Sequence, residues 1–508
     1  MPQSAKFLIL NPIDDVMIAL QDLSKGDKVN GIELLDPVPL GHKIALRAVA
    51  AGEPVRRYGQ IIGFATRDIQ AGQHVHMHNL EFREFDKDYR FSQDYAPTRM
   101  ADSPDTFMGI VRPDGQVATR NYIGILTSVN CSATVAHAIA DQFRRDIHPE
   151  ALEAYPNVDG VVALTHGVGC GIDSSGEGLK VLQRTIAGYV RHPNFAGLLI
   201  IGLGCETNQV SVMMKAQALQ EGRNLHTFNI EDVGGTPKSI AKGVELVNGM
   251  LAEANKAERT PVPVSHIKIG LQCGGSDSFS GITANPVLGA AVDILVRNGG
   301  TAILSETPEI YGAEHLLTCR AATPAIGKKL VDIFGWWEDV CHRNHASMNN
   351  NPSAGNKKGG LTTVLEKSLG GVAKGGSTGL MEVYDYAEPV EAKGLVFMNT
   401  PGYDPMSATG QVAGGANIIC FTTGRGSAFG CVPSPSLKLA TNTALWDRQQ
   451  DDMDINCGTV IDEGADIQQL GREFYEMVLR CASGERSKSE IYGYGRNEFV
   501  PWQPGVIC

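Results

Sequence analysis

The sequence predicts a multidomain α/β protein in which a small N-terminal β domain precedes two α/β domains built on parallel sheets. Three observations carry this expectation. The chain has 508 residues, more than one hydrophobic core ordinarily serves. Residues 1–80 hold only short apolar runs separated by turn residues, with no sustained 3.6-residue period. From residue 108 onward, apolar runs, glycine-rich turns and amphipathic stretches alternate, the pattern of strand–turn–helix units in a parallel sheet.

Taken in order, "KFLIL", "VMIAL", "KIALRAV", "IIGFAT" and "HVHMHN" read as the strands of a β domain over 1–80. Residues 81–107 are charged, aromatic and proline-containing, and read as a linker. A first α/β domain is expected over 108–255. There "NYIGILTSV", "VDGVVALTHGVGCGI" and "FAGLLIIGLGCETNQ" each run from an apolar strand into a turn of small residues. The proline-rich "KAERTPVPVSH" marks a boundary, and a C-terminal α/β catalytic domain is expected over 266–508. Its signals are "IKIGLQCGGSDSFSGITANP" before a helix, "TAILSE", a helical stretch around 312–345, and the strands "GLVFMNT" and "ANIICFTT".

Charge narrows the function. Lys+Arg 44 against Asp+Glu 56 leaves a net charge of −12, which disfavours nucleic acid and anionic membrane surfaces as partners. An anionic substrate would need local cations or a metal against that field. No stretch reaches the roughly 18–20 apolar residues of a membrane span. The N-terminal apolar run is too short for a signal peptide and reads as a strand. Eleven cysteines, an odd number without framework spacing, read as reduced thiols of a cytoplasmic protein.

Five constellations could carry chemistry. Cys131, Cys170, Cys205 and Cys273 each sit just past an apolar strand, where parallel sheets bind ligands. Thiolates there suit iron, zinc or an iron–sulfur cluster; buried structural thiols beside tight turns are the competing reading. "GHK" and "HVHMHN" supply His42, Lys43, His74, His76 and His78, and imidazoles two apart on a strand share a face and can ligate a metal. Gly274, Gly275, Ser276, Asp277, Ser280, Gly281, Thr283 and Asn285 crowd a loop before a helix. They offer amides and hydroxyls to a carboxylate or phosphate, or they simply cap the helix. Asn356, Lys357 and Lys358, with Glu366 and Lys367 beyond, surround lysines with glycine; a surface loop is the alternative. Thr422, Thr423 and Arg425 end a strand in "FTTGRG", where an arginine between glycines suits bidentate carboxylate capture as well as a structural role.

The motifs "GHKIA", "RYGQIIGFA", "GQHVHMHN", "THGVGCG", "IGLGCETNQ", "CGGSDSFSGITANP", "NPSAGNKKGG", "EKSLG" and "FTTGRG" resemble, in order and nearly end to end, the altronate/galactarate dehydratase family. The resemblance implies an N-terminal SAF-like β-clip domain, iron as cofactor (Fe2+, with an iron–sulfur cluster also open), and a small sugar acid as substrate. "HVHMHN" and "ETPEIYGAEHLL" look more like the altronate branch. "SVNCSATV" and "HGVGCGID" depart from it and leave the substrate open among aldonates and aldarates. A related lyase resembling sulfolactate sulfo-lyases and a non-catalytic sugar-acid-binding regulator are the alternatives, and a homodimer is compatible with either.

The expected reaction is β-elimination: the C2 proton of a 2,3-dihydroxy acid leaves, then the C3 hydroxyl, and the enol tautomerises to a 2-keto-3-deoxy acid. Charge developing on the carboxylate demands a metal or fixed cations. The expected metal ligands are drawn from His42, His76, Cys131, Cys170 and Cys205. Expected catalytic groups are His166, Lys43 and Lys357. Arg120, Asn121, Gly274, Ser276, Asp277, Ser280, Thr283, Asn285, Asn356, Thr423 and Arg425 are the expected substrate-binding set.

Overall fold

The structure is a computed structural model that describes residues 6–504 apart from 86 and 88. Its N-terminal part contains antiparallel strands of two to six residues. One sheet runs Phe7–Leu8, Val16–Ala19, Lys43–Ala45, His74–Val75, and another runs Pro54–Arg57, Gln60–Ala65, Leu80–Glu81. Alternation along Val16–Ala19 explains the layering. Met17 and Ala19 enter one small apolar cluster and Val16 a second, while Ile18 packs on Phe279 and Ile282 of the C-terminal domain. The glycine at 41 permits that docking. It holds φ +78°, and a Cβ there would lie 2.6 Å from the Ser278 hydroxyl.

The described residues of the segment from 82 to 105 have no regular structure but are pinned to the C-terminal domain. Phe82 and Phe85 pack on that domain's core, and the Ser92 and Asp94 amides donate to the Thr318 and Cys319 carbonyls. Thr106–Val111 then pairs antiparallel with Arg259–Pro263, and Val117–Ala118 completes this sheet. The chain thus enters and leaves the middle domain through neighbouring strands.

The middle domain is a four-stranded parallel sheet in the order Gly160–Leu164, Tyr122–Thr127, Phe195–Gly202, Leu225–Asn229. Its strands read as continuous apolar runs because helices cover both faces. Ala133–Asp141 and Thr236–Ala254 lie on one side and Glu177–Val190 on the other. The second face shares one apolar cluster with the C-terminal domain, from Leu126 and Tyr189 to Ile303, Val396 and Phe421.

The C-terminal domain is a seven-stranded parallel sheet. Its order is Leu380–Tyr384, Gly394–Met398, Thr301–Leu304, Lys268–Cys273, Ile418–Thr423, Ser436–Ala440, Ile455–Asn456. From Lys268–Cys273 the chain builds one flank, then returns to build the other from Ile418–Thr423. The order therefore reverses between these two strands, where open parallel sheets bind ligands at their carboxyl ends. Among the described residues, no helix is long and apolar enough to cross a membrane.

Candidate active site

A cavity of about 500 Å³ opens at that reversal point. Asp277, Gly424, Arg425, Asn442 and Arg448 line it, Lys358 adds a third cation, and Leu20 and Leu40 of the N-terminal domain close one side. Lys358, Arg425 and Arg448 supply three cations to a lining that also holds Asp277 and Asp462, in a chain of net charge −12. Asp277 organises the rim. Its carboxylate accepts from the Phe279 and Ser280 amides at 3.1 and 2.9 Å, from Thr441 Oγ1 at 3.0 Å and from Asn442 Nδ2 at 3.0 Å. Burial nevertheless leaves its pKa above the usual value, against the pull of these donors. Glycine is required at 424, because a Cβ there would meet the Asp277 carboxyl carbon at 2.4 Å.

The histidines connect to this cavity through His42, which touches the backbone of the lining residue Lys358. The register pairing Lys43 with Val75 continues to set His42 opposite His76. His42 Nδ1 lies 3.0 Å from His74 Nε2, and its Nε2 lies 3.3 Å from the carbonyl oxygen of Lys358, the cavity's own lysine. One ring nitrogen from each of His42, His74 and His76 falls within 4.8 Å of the others. Burial, then neighbouring positive groups, lower His74 to about 4 and His76 to about 3, so both are neutral imidazoles near neutral pH. The Nδ1 of His76 is buried without a hydrogen-bond partner. Neutral imidazoles with an orphaned nitrogen fit a first-row divalent cation such as iron. His74 joins His42 and His76 in this group, whereas His78 is exposed beside it.

Deeper along the same sheet edge is a buried charged cluster. Cys273 Sγ lies 3.0 Å from Glu309 Oε2 and 2.9 Å from Lys374 Nζ. Lys374 also holds Glu306 at 2.7 Å, and Lys367 holds Glu309 at 2.7 Å. Glu306 has left-handed backbone angles of 62° and 61°, an uncommon conformation for a non-glycine residue. Burial and the neighbouring Glu306 and Glu309 charges push Asp404 up to about 8. Asp404 and Arg425 flank consecutive glycines: a Cβ at Gly274 would strike Asp404 Oδ2 at 2.3 Å, and one at Gly275 would meet Arg425 Cβ at 3.0 Å.

Several sequence expectations are corrected here. Arg120 is no substrate group. It is buried, bonds Glu490 at 2.5 and 2.7 Å, and spends its other donors on the Thr119, Cys481 and Glu485 carbonyls. Asn121 is likewise consumed, by Asn157, Ala254 and Arg112. His166 is buried with Nε2 on the Thr127 carbonyl and Nδ1 taking the Val168 amide, so neither nitrogen is free to act as a base. Lys43 is pushed down to about 8 by burial despite Glu366, yet its three donors go to Gly360 and to both Glu366 oxygens. Lys357 does not line the cavity; its neighbour Lys358 does.

Thr283 and Asn285 brace backbone, the first on Phe279 and Thr441, the second on Gly370 and Thr422. Asn356 caps its own short helix with Ser353 and holds the Ser276 carbonyl. Ser280 and Thr423 fix the loops carrying Asp277 and Arg425. Cys131, Cys170 and Cys205 follow strands of the middle domain's sheet and Cys273 ends a strand of the C-terminal one, so the four thiols do not share one sheet edge.

Fold and site define a class: a β module docked on two parallel-sheet α/β domains, with a cation-lined cavity where the larger sheet reverses its order. The chain belongs to the D-galactarate/altronate dehydratase family. It matches the family's SAF domain over residues 5–83, its second domain over 109–255 and its C-terminal domain over 264–507. It is 34% identical to the altronate dehydratase of Bacillus subtilis (strain 168), with 97% of each chain covered. It is also 34% identical to the altronate dehydratase of Escherichia coli (strain K12), again over 97% of each chain. Identity to the galactarate dehydratase (L-threo-forming) of Escherichia coli (strain K12) is 36%, over 99% of this chain and 98% of that one.

Proposed function

We propose that this chain is a hydro-lyase that dehydrates a sugar acid, an altronate-like aldonate or a galactarate-like aldarate, to a 2-keto-3-deoxy acid. The observation that carries the reading is the cavity at the sheet reversal, which Lys358, Arg425 and Arg448 line and whose Lys358 carbonyl contacts His42 of the imidazole group. Abstraction of a proton next to a carboxylate places a second negative charge on that carboxylate. Cations lining the cavity would stabilise this charge. Arg425, held on a glycine-flanked turn by Thr423, has the planar fork for bidentate capture. Asp277 and Asn442 line the same space, with their polar atoms bonded to each other and to the loops that carry Phe279, Gly424 and Leu445, so they shape the cavity wall. Asp404, protonated at neutral pH, lies beside Gly274 on the same sheet edge and would supply a proton to the departing hydroxyl.

His42, His74 and His76 would hold the iron; when bound, it supplies a Lewis acid for a substrate oxygen. The protein's part is to present these imidazoles neutral and to fix them against the Lys358 loop.

The test is an anaerobic panel of aldonates and aldarates, supplied with iron(II) and assayed for 2-keto acid. Formation of a 2-keto-3-deoxy acid from at least one hexonate or hexarate is expected. Binding of such an acid without turnover would instead assign a regulator, and sulfite release from sulfolactate would assign the sulfo-lyase branch. His42→Ala should lose one equivalent of bound iron(II) in a direct metal titration.

A further inference from the structure

Ten cysteines lie among the described residues, and three of them are exposed: Cys131, Cys170 and Cys205. Each follows one of three neighbouring strands of the middle domain, Tyr122–Thr127, Gly160–Leu164 and Phe195–Gly202, at their carboxyl ends. Adjacent strands lie about 4.8 Å apart, so the three loops start side by side.

Hydrogen bonds then lock these loops together next to each thiol. The Asn130 amide donates to the Val168 carbonyl at 2.9 Å, and the Asn208 amide to the Gly169 carbonyl at 3.0 Å. Asn208 Nδ2 reaches the Ser128 carbonyl at 3.0 Å, and the Ser128 hydroxyl donates to Glu206 Oε1 at 2.6 Å. Asn130, Gly169 and Glu206 are the chain neighbours of Cys131, Cys170 and Cys205. Gly169 holds φ +103°, and a Cβ there would sit 2.2 Å from the Ser128 carbonyl oxygen. The loops are in backbone contact, and glycine is what lets them be.

Among the described residues, no hydrogen bond engages any of the three sulfurs, whereas Cys273 and Cys481 sit in bonded networks. The donor set is all thiolate, which suits a cluster as well as a single ion. A lone zinc-like ion binds sulfur at about 2.3 Å, so its ligands lie within roughly 4.6 Å of one another. The histidine trio and the Cys273–Glu306–Glu309 trio each gather their donors within 4.8 Å; among the described residues these three thiols form no such group. A cluster that gives each thiolate its own iron spans a wider opening.

The opening also faces the right way. Helix Glu177–Val190 packs on helix Asp404–Ala413 of the C-terminal domain. Gly188 abuts Ala413, and His192 beyond it bonds the Ala416 carbonyl, so the two helices run parallel. Each follows a strand of its own sheet. Their N-termini, and therefore the carboxyl edges of both sheets, point to the same side of the molecule, with the thiols at the edge of one sheet and Asp404 at the edge of the other.

We propose that Cys131, Cys170 and Cys205 hold an iron–sulfur cluster, separate from the histidine metal site, with one iron left without a protein ligand for an oxygen of a hydroxy acid. Each thiol releases its proton on ligation, and iron and inorganic sulfide supply the rest. Cluster binding does not depend on the dehydratase reading; the class of ligand at the open iron does.

The test uses the full chain, reconstituted anaerobically with iron(II) and inorganic sulfide. Expected are a broad visible charge-transfer band and acid-labile sulfide at about four per chain. Cys131→Ser, Cys170→Ser and Cys205→Ser should each lose the band and the sulfide while keeping the far-ultraviolet dichroism. Cys319→Ser and His42→Ala should keep both. A wild-type chain that takes up no labile sulfide, or three serine variants that keep the band, overturns the proposal. Addition of galactarate should shift the cluster's spectrum, and an unchanged spectrum overturns the open-iron half. A chain that carries the cluster but dehydrates no sugar acid refutes the proposed function and leaves the cluster site standing.

Discussion

Lys43 and Glu366 meet at 2.9 Å with both side chains wholly excluded from solvent, one from the N-terminal domain and the other from the C-terminal domain. Arg57 adds a second contact to the same carboxylate at 2.5 Å, and the Thr362 amide and hydroxyl complete its shell. The histidines that connect to the cavity through His42 are carried on the strands this pair anchors.

Breaking the pair should therefore loosen the N-terminal domain. Glu366→Gln leaves Lys43 and Arg57 buried without their counter-charge, which costs about 3–5 kcal/mol. Urea denaturation should show that loss, and proteolysis should begin to cut near residues 82–105. Burial alone would raise the Glu366 carboxyl, but Lys43 and Arg57 overrule it and hold it at about 2. Its folded pKa lies below the unfolded value of 4.5, so the stabilisation is present above pH 4.5 and drains away as pH falls toward 2. A variant with unchanged acid stability would contradict this account.

Arg425→Ala should leave the fold intact and cripple turnover. Losing a charge-assisted contact that strengthens in the transition state costs on the order of 2–4 kcal/mol, or roughly 30- to 1000-fold in kcat/KM. Near-normal kinetics would reassign Arg425 to loop structure.

Asp404 predicts the opposite pH behaviour to Glu366. Burial and the Glu306 and Glu309 charges raise its folded pKa from 3.8 to about 8. Stability is then fully present below pH 3.8 and is lost as pH rises through 8. Asp404→Asn removes this dependence, so urea midpoints of the two proteins should diverge on the alkaline side, with the variant the more stable. Parallel curves across pH 8 would show that Asp404 ionises normally.

Arg120→Met should separate structure from binding. It strands Glu490 without its cation and should cost about 3–5 kcal/mol of stability, while KM for the substrate stays unchanged because Arg120 does not reach the cavity. A raised KM in a stably folded variant would return Arg120 to the substrate-binding set.

The alternation of apolar runs and glycine turns was legible in the sequence because a strand's burial is a local property: Tyr122–Thr127 and Lys268–Cys273 are apolar since helices cover both their faces. The pairing of His42 with His74 and His76 was half legible, since the motif supplied the imidazoles but only the strand register brings them together. The Cys273–Glu306–Glu309–Lys367–Lys374 cluster was not. Its charges come from distant segments, and each alone reads as a solvated side chain. Arg120 misled for the same reason: a strand-end arginine looks like an anion site until its carboxylate, 370 positions further on, is in view.

That separation has a cost in time. At a synthesis rate of roughly 5–20 residues per second, the 370 residues between Arg120 and Glu490 take about 20–70 s to emerge. The middle domain can complete its sheet early, since all four of its strands lie before residue 230. Its final seating waits for the last stretch of chain, because Cys481, Glu485 and Glu490 supply most of Arg120's partners. A ribosome stalled shortly before codon 481 would hold a middle domain packed through its apolar face but with the Arg120 guanidinium still lacking Glu490.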